Sequence, residues 1–389
     1  MQSIKIVLIL FMSFGFLQAQ FSKSLEISSY YDDNLFRSVQ AEQDVLTDFM
    51  LGLSYQPEKS NIKFNYSGDF FLYQNNDLRD FSVHEIGLSY SLPYSKNSND
   101  MLYFGLDYTL RVNGDDYSYY DYDQLYAFAS LHLDLDFMFL TTGYNYRHRS
   151  YSNLPELTND RHYIFTRLNK SFESKTTIIL EADLGQKSFS GQEIYSTTTM
   201  DDGSGWRGGR NSSSKMTAVN SEDQQVRLNQ AVLLARVSQS LHEKVGLYVQ
   251  YRRQFSFTNE TSYINADGYY QDEELFDDPF SYESEGYASQ LTWVLPWTMK
   301  MQLAGALVSK DYISERAYIS AQDSTGSGAV RNDDRSTLNF NITKTWFIKK
   351  PWIESLHFNL HYNYIRSESN SYWYDYRNNI FGAGIQWNF

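Results

Sequence analysis

The sequence ends with Ile380-Phe381-Gly382-Ala383-Gly384-Ile385-Gln386-Trp387-Asn388-Phe389, in which large apolar residues alternate with small or polar ones. Side chains of an extended strand point alternately to opposite faces. Positions 381, 383, 385, 387 and 389 (Phe, Ala, Ile, Trp, Phe) therefore share one face, and Gly, Gly, Gln and Asn share the other. Such a strand suits a barrel wall between lipid and water.

The same period-two pattern recurs in about sixteen segments, and no stretch shows a helical stripe with caps. The clearest apolar rows are Leu51/Leu53/Tyr55, Ile62/Phe64/Tyr66, Ile86/Leu88/Tyr90, Leu102/Phe104/Leu106/Tyr108, Ile178/Leu180/Ala182/Leu184, Val245/Leu247/Val249/Tyr251, Leu338/Phe340/Ile342 and Leu356/Phe358/Leu360/Tyr362/Tyr364. Alternation of this kind predicts strands that are apolar on one face only.

The connections between these segments alternate between short and long. Short ones fall near residues 56–60, 93–100, 134–136, 173–176, 241–244, 296–299 and 349–354, and longer polar ones near 33–44, 74–80, 113–120, 147–160, 190–224, 258–283, 312–335 and 367–375. Outer-membrane barrels have tight turns at the periplasmic end and long loops outside. The pattern predicts an all-β, closed, antiparallel transmembrane β-barrel of about sixteen strands, with both termini in the periplasm.

The terminal strand also resembles the C-terminal signature of bacterial outer-membrane β-barrel proteins, in which a final Phe is typical and is read by the barrel-assembly machinery. That resemblance implies the assembly machinery as a partner during biogenesis. We expect the last strand to close the barrel by pairing with the segment that contains Leu25 and Ile27.

Residues 1–19 carry the cation Lys5, the apolar run 6–16 and the small residue Ala19, which predicts a secretory signal peptide. The barrel is then expected over residues 20–389, in the outer membrane of a Gram-negative cell, among lipid and lipopolysaccharide. The chain has no Cys, which excludes disulfides, thiolate metal sites and a Cys nucleophile. A net charge of −14 argues against nucleic acid as a partner.

The faces opposite the apolar rows carry charges that cannot readily face lipid, where a midplane Lys or Arg costs ~2–4 kcal/mol. The candidate lumen-lining residues are Lys63, Asp69, Glu85, Asp107, Arg111, Arg167, Glu181, Asp183, Arg236, Arg252, Lys300 and Lys310. Both signs occur in similar number. They indicate either an aqueous path with weak charge selectivity or a closed lumen filled by ion pairs.

An acidic segment runs from residue 259 to residue 285 without any Lys or Arg. Within it Asn265, Asp267 and Glu274, with Gly268, match positions of a calcium-binding loop, although Tyr263 stands where the first ligand belongs. We expect no cofactor, and calcium or another divalent cation in this acidic segment is the one candidate. The alternative is a solvated acidic loop near lipopolysaccharide and its bridging cations.

Tyrosines interleave with carboxylates at residues 115–123 and in the acidic segment, and four aromatic residues cluster at 372–376. Such rings could stack on sugars, or they could form the outer aromatic girdle of a barrel. His357 and His361 share a strand face but lie ~13 Å apart, too far to bind one metal together. No Ser-centred catalytic motif stands out, so we expect no enzyme.

The stretch Tyr31-Asp32-Asp33-Asn34-Leu35-Phe36-Arg37 resembles the first hairpin of a family of β-barrel porins, some of whose members are associated with surface-polysaccharide production or export. Read as residues alone, its Asp and Asn serve as turn formers.

Together the patterns predict a porin or channel for small polar solutes, with saccharides as one candidate class. The long loop at 191–223, with Trp206, Arg207 and Arg210, is the candidate constriction. The alternative is a non-conducting surface barrel, either adhesive or structural, or an accessory to polysaccharide or protein export.

Overall fold

Sixteen antiparallel strands form one closed barrel, in which each strand pairs with its neighbours in the chain and the first pairs with the last. The computed structural model describes residues 21–95, 100–190, 194–197, 219–222, 227–258, 277–323, 326, 329–350 and 352–389. The predicted fold class is confirmed, while the expected signal peptide at residues 1–19 lies outside the described residues.

The barrel strands are β1 Phe21–Asp32, β2 Asp44–Tyr55, β3 Ile62–Tyr73, β4 Phe81–Pro93, β5 Met101–Asn113, β6 Tyr122–Asp134, β7 Phe139–Tyr151, β8 Asn159–Ser171, β9 Thr176–Phe189, β12 Arg227–His242, β13 Val245–Ser256, β14 Tyr282–Leu295, β15 Met299–Arg316, β16 Val330–Lys350, β17 Ile353–Ser369 and β18 Tyr376–Asn388. Two further short strands, β10 Ile194–Thr197 and β11 Val219–Glu222, pair as a separate hairpin. They fall in the segment 190–224, for which the sequence predicted only a loop.

The remaining described elements are five short 3-10 turns, Asp77–Arg79, Asp115–Tyr120, Pro155–Leu157, Pro279–Ser281 and Tyr372–Tyr374. In the described part of the chain, no helix is both long and apolar enough to cross a membrane.

The barrel closes at the junction of β1 and β18, as expected from the sequence. Leu25 lies opposite Trp387, and Ile27 lies opposite Ile385. The Phe389 amide donates to the Lys23 carbonyl oxygen at 3.0 Å. Glycine is needed at position 382, because a Cβ there would collide with the rings of His361 and Tyr30 on the two neighbouring strands.

The outer face of the barrel is apolar and the inner face is polar. The outward rows expose large side chains around the whole circumference, including Ile86 at 63% and Leu307 at 62%. The opposite faces carry most of the charged residues of the strands. A soluble barrel would reverse this arrangement, so the exposed apolar belt indicates a lipid environment.

The two ends of the barrel differ in their connections. The end at which β1 begins and β18 ends, here called the turn end, has the connections 56–61, 94–100, 135–138, 172–175, 243–244, 296–298 and 351–352. The opposite end, here called the loop end, has the connections 33–43, 74–80, 114–121, 152–158, 190–226, 257–281, 317–329 and 370–375. Among the described non-glycine residues with left-handed φ, six lie in or beside the tight turns, namely Lys59, Asp136, Lys175, Trp297, Thr298 and Lys349. The seventh, Arg37, lies at the loop end with φ 48°.

At the loop end the strands run further than the sequence predicted. The expected loops at 147–160 and 312–335 are shorter, because β7 continues to Tyr151, β15 to Arg316 and β16 begins at Val330. The side chains of these extensions are mostly polar, and for this reason the sequence predicted loops there. They remain strands because their neighbours continue the hydrogen-bond ladder and their inward side chains pack inside the barrel.

Candidate functional site

All twelve residues predicted to line the lumen lie on the inward face, as the strand register and the exposed apolar rows show. They do not form a single cluster, because the pairing distributes them around the wall and along its height. Arg111 and Lys310 are buried near the loop end, whereas Lys63 and Lys300 lie towards the turn end. Their role in lining a solute path stays a prediction.

Five carboxylates line the inner wall of β1 to β5, and we call them the acidic arc. They are Glu26, Asp48, Asp69, Glu85 and Asp107, one on each successive strand. Ser28 Oγ donates to Glu26 at 2.9 Å, and Thr109 Oγ1 donates to Glu85 at 3.2 Å. Within the described ranges, none of the five forms an ion pair. Glu26 and Asp48 were not among the predicted lumen residues, although both alternate with the apolar residues of their strands.

A basic arc lies on the inner wall of β8 to β13, and it includes Arg167, Arg236 and Arg252. Arg167 pairs with Glu181 on the adjacent strand. The other two guanidinium groups bind neutral oxygens: Arg236 Nε donates to Gln250 Oε1 at 2.8 Å and Arg252 donates to Gln254 Oε1 at 3.0 Å. Carboxylates are thus concentrated on β1 to β5, where Lys63 and Arg111 also face inward, and the arginines of β8 to β13 lie beside Glu181 and Asp183 of β9.

A buried ionic cluster occupies the loop end beside β15 and β16. Arg331 binds Asp333 through Nε at 3.0 Å and Glu315 at 2.9 Å. Lys310 binds Asp277, which also accepts from the Tyr312 hydroxyl at 2.6 Å. Burial raises the pKa of the Asp277 carboxyl, but Lys310 and Arg331 outweigh burial and lower the pKa to about 2. Asp277 is therefore ionised at neutral pH.

The connection before β14 folds into the barrel over residues 277–281. Asp278 binds Lys187 at 2.5 Å in a buried pair. Phe280 is only 3% exposed and packs with Phe189, Leu228 and Tyr163, which lie on β9, β12 and β8. An inward-folded segment narrows the lumen at the loop end. It belongs to the acidic segment 259–285, so the description of that segment as a solvated loop is wrong for Asp277 and Asp278.

Several predicted site residues lie outside the described residues. They are the candidate constriction residues Trp206, Arg207 and Arg210 and the candidate calcium ligands Asn265, Asp267 and Glu274. Across the described ranges, no three His, Asp or Glu side chains converge as metal ligands. His357 binds Thr345 and Ser355 hydroxyls, and the His361 ring lies 5.0 Å from that of Tyr30.

Aromatic and aliphatic side chains from three connections and the neighbouring strands form a second buried cluster at the loop end. Its buried members are Leu35, Leu46, Tyr73, Phe81, Tyr120, Tyr151 and Leu157. Tyr120, Tyr374 and Tyr376 were candidates for a girdle or a sugar-binding surface, but they are buried. Arg331 stacks 3.2 Å from the Tyr374 ring centroid, so these rings serve packing and charge stabilisation at the loop end.

The Tyr31–Arg37 stretch binds the start of β18. Asp33 accepts from the Asn379 amide at 2.6 Å and from its side-chain nitrogen at 2.7 Å. Asn378 Nδ2 donates to Asp32 at 2.6 Å and to the Asn34 carbonyl oxygen at 2.7 Å. These polar residues join the first and last strands as well as forming a turn. We call the set of contacts the closure seam.

Replacing Asn378 with Ala should lower the free energy of unfolding by about 1–3 kcal/mol, because the buried Asp32 carboxylate loses a donor. Urea titration of the refolded protein in lipid vesicles, followed by Trp fluorescence, measures the change. Asn339→Ala, at an exposed inward position, should change the value by less than about 0.5 kcal/mol. Equal effects of the two substitutions would contradict a special role for the seam.

No protein-family model and no curated protein sequence matches the chain. Solved structures match its fold. OccAB1 of Acinetobacter baumannii is 11% identical, and the match covers 95% of this chain and 96% of that one with a TM-score of 0.50. The outer membrane protein OpdK of Pseudomonas aeruginosa is 8% identical over 95% and 98% of the two chains, with a TM-score of 0.48. A bacterial polysaccharide outer membrane secretin is 9% identical over 94% and 97%, with a TM-score of 0.49.

At this level of identity the similarity to OccAB1 shows a shared fold only. The family suggested by the Tyr31–Arg37 stretch stays a prediction. In fold, the chain is similar to outer-membrane β-barrel proteins.

Proposed function

We propose that the protein is an outer-membrane channel through which small polar solutes diffuse. The acidic arc carries this proposal. Five carboxylates on adjacent strands face the interior, and within the described residues no cation pairs with them. Enclosing such groups without water would cost several kcal/mol for each ion. A hydrated lumen supplies the missing solvation, and a sixteen-stranded barrel is wide enough to hold water.

The outer surface supports the membrane location. The apolar belt faces outward, and the turn end carries exposed aromatic side chains, of which Trp297 is 79% exposed. Amphipathic rings favour the boundary between lipid and water. We place the turn end in the periplasm and the loop end outside the cell among lipopolysaccharide, with the barrel-assembly machinery as a partner during biogenesis. No catalytic role is proposed.

The loop end limits which solutes could pass. Residues 277–281 fold inward there, and the aromatic cluster fills part of the same region. A path narrowed in this way favours small polar molecules over polymers. Saccharides remain a candidate class because hydroxyl and amide groups line the wall of β16 to β18, including Asn339, Asn341 and Asn363.

The same packing at the loop end supports a second candidate function, a non-conducting surface barrel. Buried ion pairs such as Lys187–Asp278 could hold the inward segment permanently closed. In that case the acidic arc would contact water only from the turn end, and the long connections would serve adhesion or export.

Planar-bilayer recording on the purified, refolded protein separates the two functions. The channel predicts stepwise, reproducible current increments in potassium chloride. If heat-dependent gel mobility shows that the protein is folded and the bilayer still shows no current steps, the closed barrel is favoured.

Lys187→Met tests the inward segment. Loss of the ion pair with Asp278 should release residues 277–281 from the barrel wall and raise the unit conductance.

A further inference from the structure

A positively charged cleft opens at the loop end, between the inward-folded connections and the walls of β15 to β18. Its empty space, counted together with the open solvent at its mouth, is about 320 Å³. Its charged lining residues are Arg37, Lys310, Arg331, Arg335, Asp277 and Asp333. Four cations thus face two carboxylates.

The two carboxylates already have cationic partners in the ionic cluster. Lys310 binds Asp277, and Arg331 binds Asp333. Arg331 also binds Glu315, which balances part of its charge. Arg335 therefore adds positive charge beyond what these two carboxylates neutralise.

Arg335 has no hydrogen bond or ion pair to any described residue, and its Nε atom is buried without an acceptor. A buried guanidinium nitrogen without an acceptor is costly, and native proteins usually satisfy such groups. Arg335 extends from the inner face of β16, between the residues opposite it, Val308 and Ser367. An oxyanion entering the cleft would supply the acceptor.

The backbone of the first connection also favours a ligand site here. Arg37 has a left-handed φ of 48°, which is unusual for a residue other than Gly, Asn or Asp. Asn34 holds this turn, because its side chain donates to the Ser38 and Arg377 carbonyl oxygens at 2.8 and 3.0 Å. Strained conformations of this kind persist where the surrounding structure fixes them, often at ligand sites.

We propose that this cleft binds a phosphate group, either inorganic phosphate or a phosphomonoester. Arg335 and Arg37 would bind its oxygens by charge-assisted hydrogen bonds, and the hydroxyls of Ser367 and Tyr376, which also line the cleft, would donate to the others. The four oxygen atoms of a tetrahedral oxyanion can accept hydrogen bonds from the two guanidinium groups and the two hydroxyls at the same time. Phosphate keeps a proton near neutral pH, so it can donate to Asp277 or Asp333, whereas sulfate cannot.

The inference deepens the proposed channel function and rests on it for its physiological role, because a solute must enter the lumen from one end to reach the cleft. Binding itself needs no current. It can be measured on the folded protein in detergent by titrating inorganic phosphate and following the broadening of its phosphorus NMR signal.

Arg335→Gln should weaken phosphate binding by about tenfold or more, since a hydrogen bond to a charged group is lost. Arg253→Gln is the matched control, because Arg253 lies on the outer face paired with Glu285 and should leave binding unchanged. Heat-dependent gel mobility checks that both variants are folded. Equal phosphate affinity in wild type and Arg335→Gln would overturn the assignment.

Competition experiments identify the ligand class. Methyl phosphate and inorganic phosphate should both displace the bound phosphate, and stronger displacement by either one identifies the natural form. Displacement by sulfate or propionate at the same concentration would overturn the phosphate assignment. A silent bilayer together with intact phosphate binding would refute the channel alone, and current steps without phosphate binding would refute the cleft alone.

Discussion

Replacing Arg331 with Met is expected to lower the free energy of unfolding by about 3–5 kcal/mol, the largest stability effect we predict. Arg331 is the shared cation of Asp333 and Glu315 in a buried region. Met fills a similar volume but leaves two buried carboxylates without their cation. The cost is therefore mainly that of uncompensated charge. Urea titration in lipid vesicles measures the loss.

Arg366→Met provides the matched control. Arg366 also pairs with two carboxylates, Glu368 at 3.5 Å and Asp375 at 2.6 Å, but all three side chains are partly exposed. Exposed ion pairs contribute about 0–1 kcal/mol, so this variant should remain close to wild type. If both Arg-to-Met variants lose the same stability, burial does not increase the contribution of the ionic cluster.

The second large effect is expected in ion selectivity. Neutralising the acidic arc with Asp48→Asn, Asp69→Asn and Glu85→Gln together should lower the potassium-to-chloride permeability ratio about threefold to fivefold at ~0.1 M salt. A unit charge ~4 Å from a passing ion changes the energy of that ion by ~1 kcal/mol in water. Dissolved salt screens this interaction more strongly as the distance between the charges grows. Reversal potentials across a potassium chloride gradient give the ratio directly.

The opposite change follows from neutralising the basic arc. Arg236→Gln with Arg252→Gln should raise the potassium-to-chloride ratio, because these guanidinium groups bind neutral amide oxygens and form no ion pair with a described carboxylate. Opposite shifts in the two variants would show that passing ions approach both arcs. Unchanged reversal potentials in both would mean that the current bypasses the wall of the lumen.

The barrel itself could be predicted from the sequence because side-chain alternation has an unambiguous physical meaning at a lipid boundary. Leu303 and Leu307 expose apolar groups on one face while Lys300 and Lys310 lie on the other, so the period alone separates outside from inside. Pairing of Ile27 with Ile385 followed from the same logic, because a closed barrel leaves the first and last strands as neighbours.

The loop-end site was largely missed, because its residues look like a polar loop when read singly. Arg331, Asp333 and Arg335 alternate at every second position, which indicates a strand whose inner face is charged. That signal was available, but it competes with the general tendency of polar stretches to form loops. The position of Arg37 was not predictable, since it depends on a left-handed turn held by contacts with residues more than three hundred positions away.

The closure seam has a consequence for the kinetics of folding. Asn34 and Arg377 are 343 residues apart in the chain, so their contact closes one of the longest loops in the molecule. Contacts of such high sequence separation form slowly and late. Interactions made after the transition state change the unfolding rate rather than the folding rate. We therefore expect the closure seam to slow the unfolding of the finished barrel and to leave its folding rate unchanged.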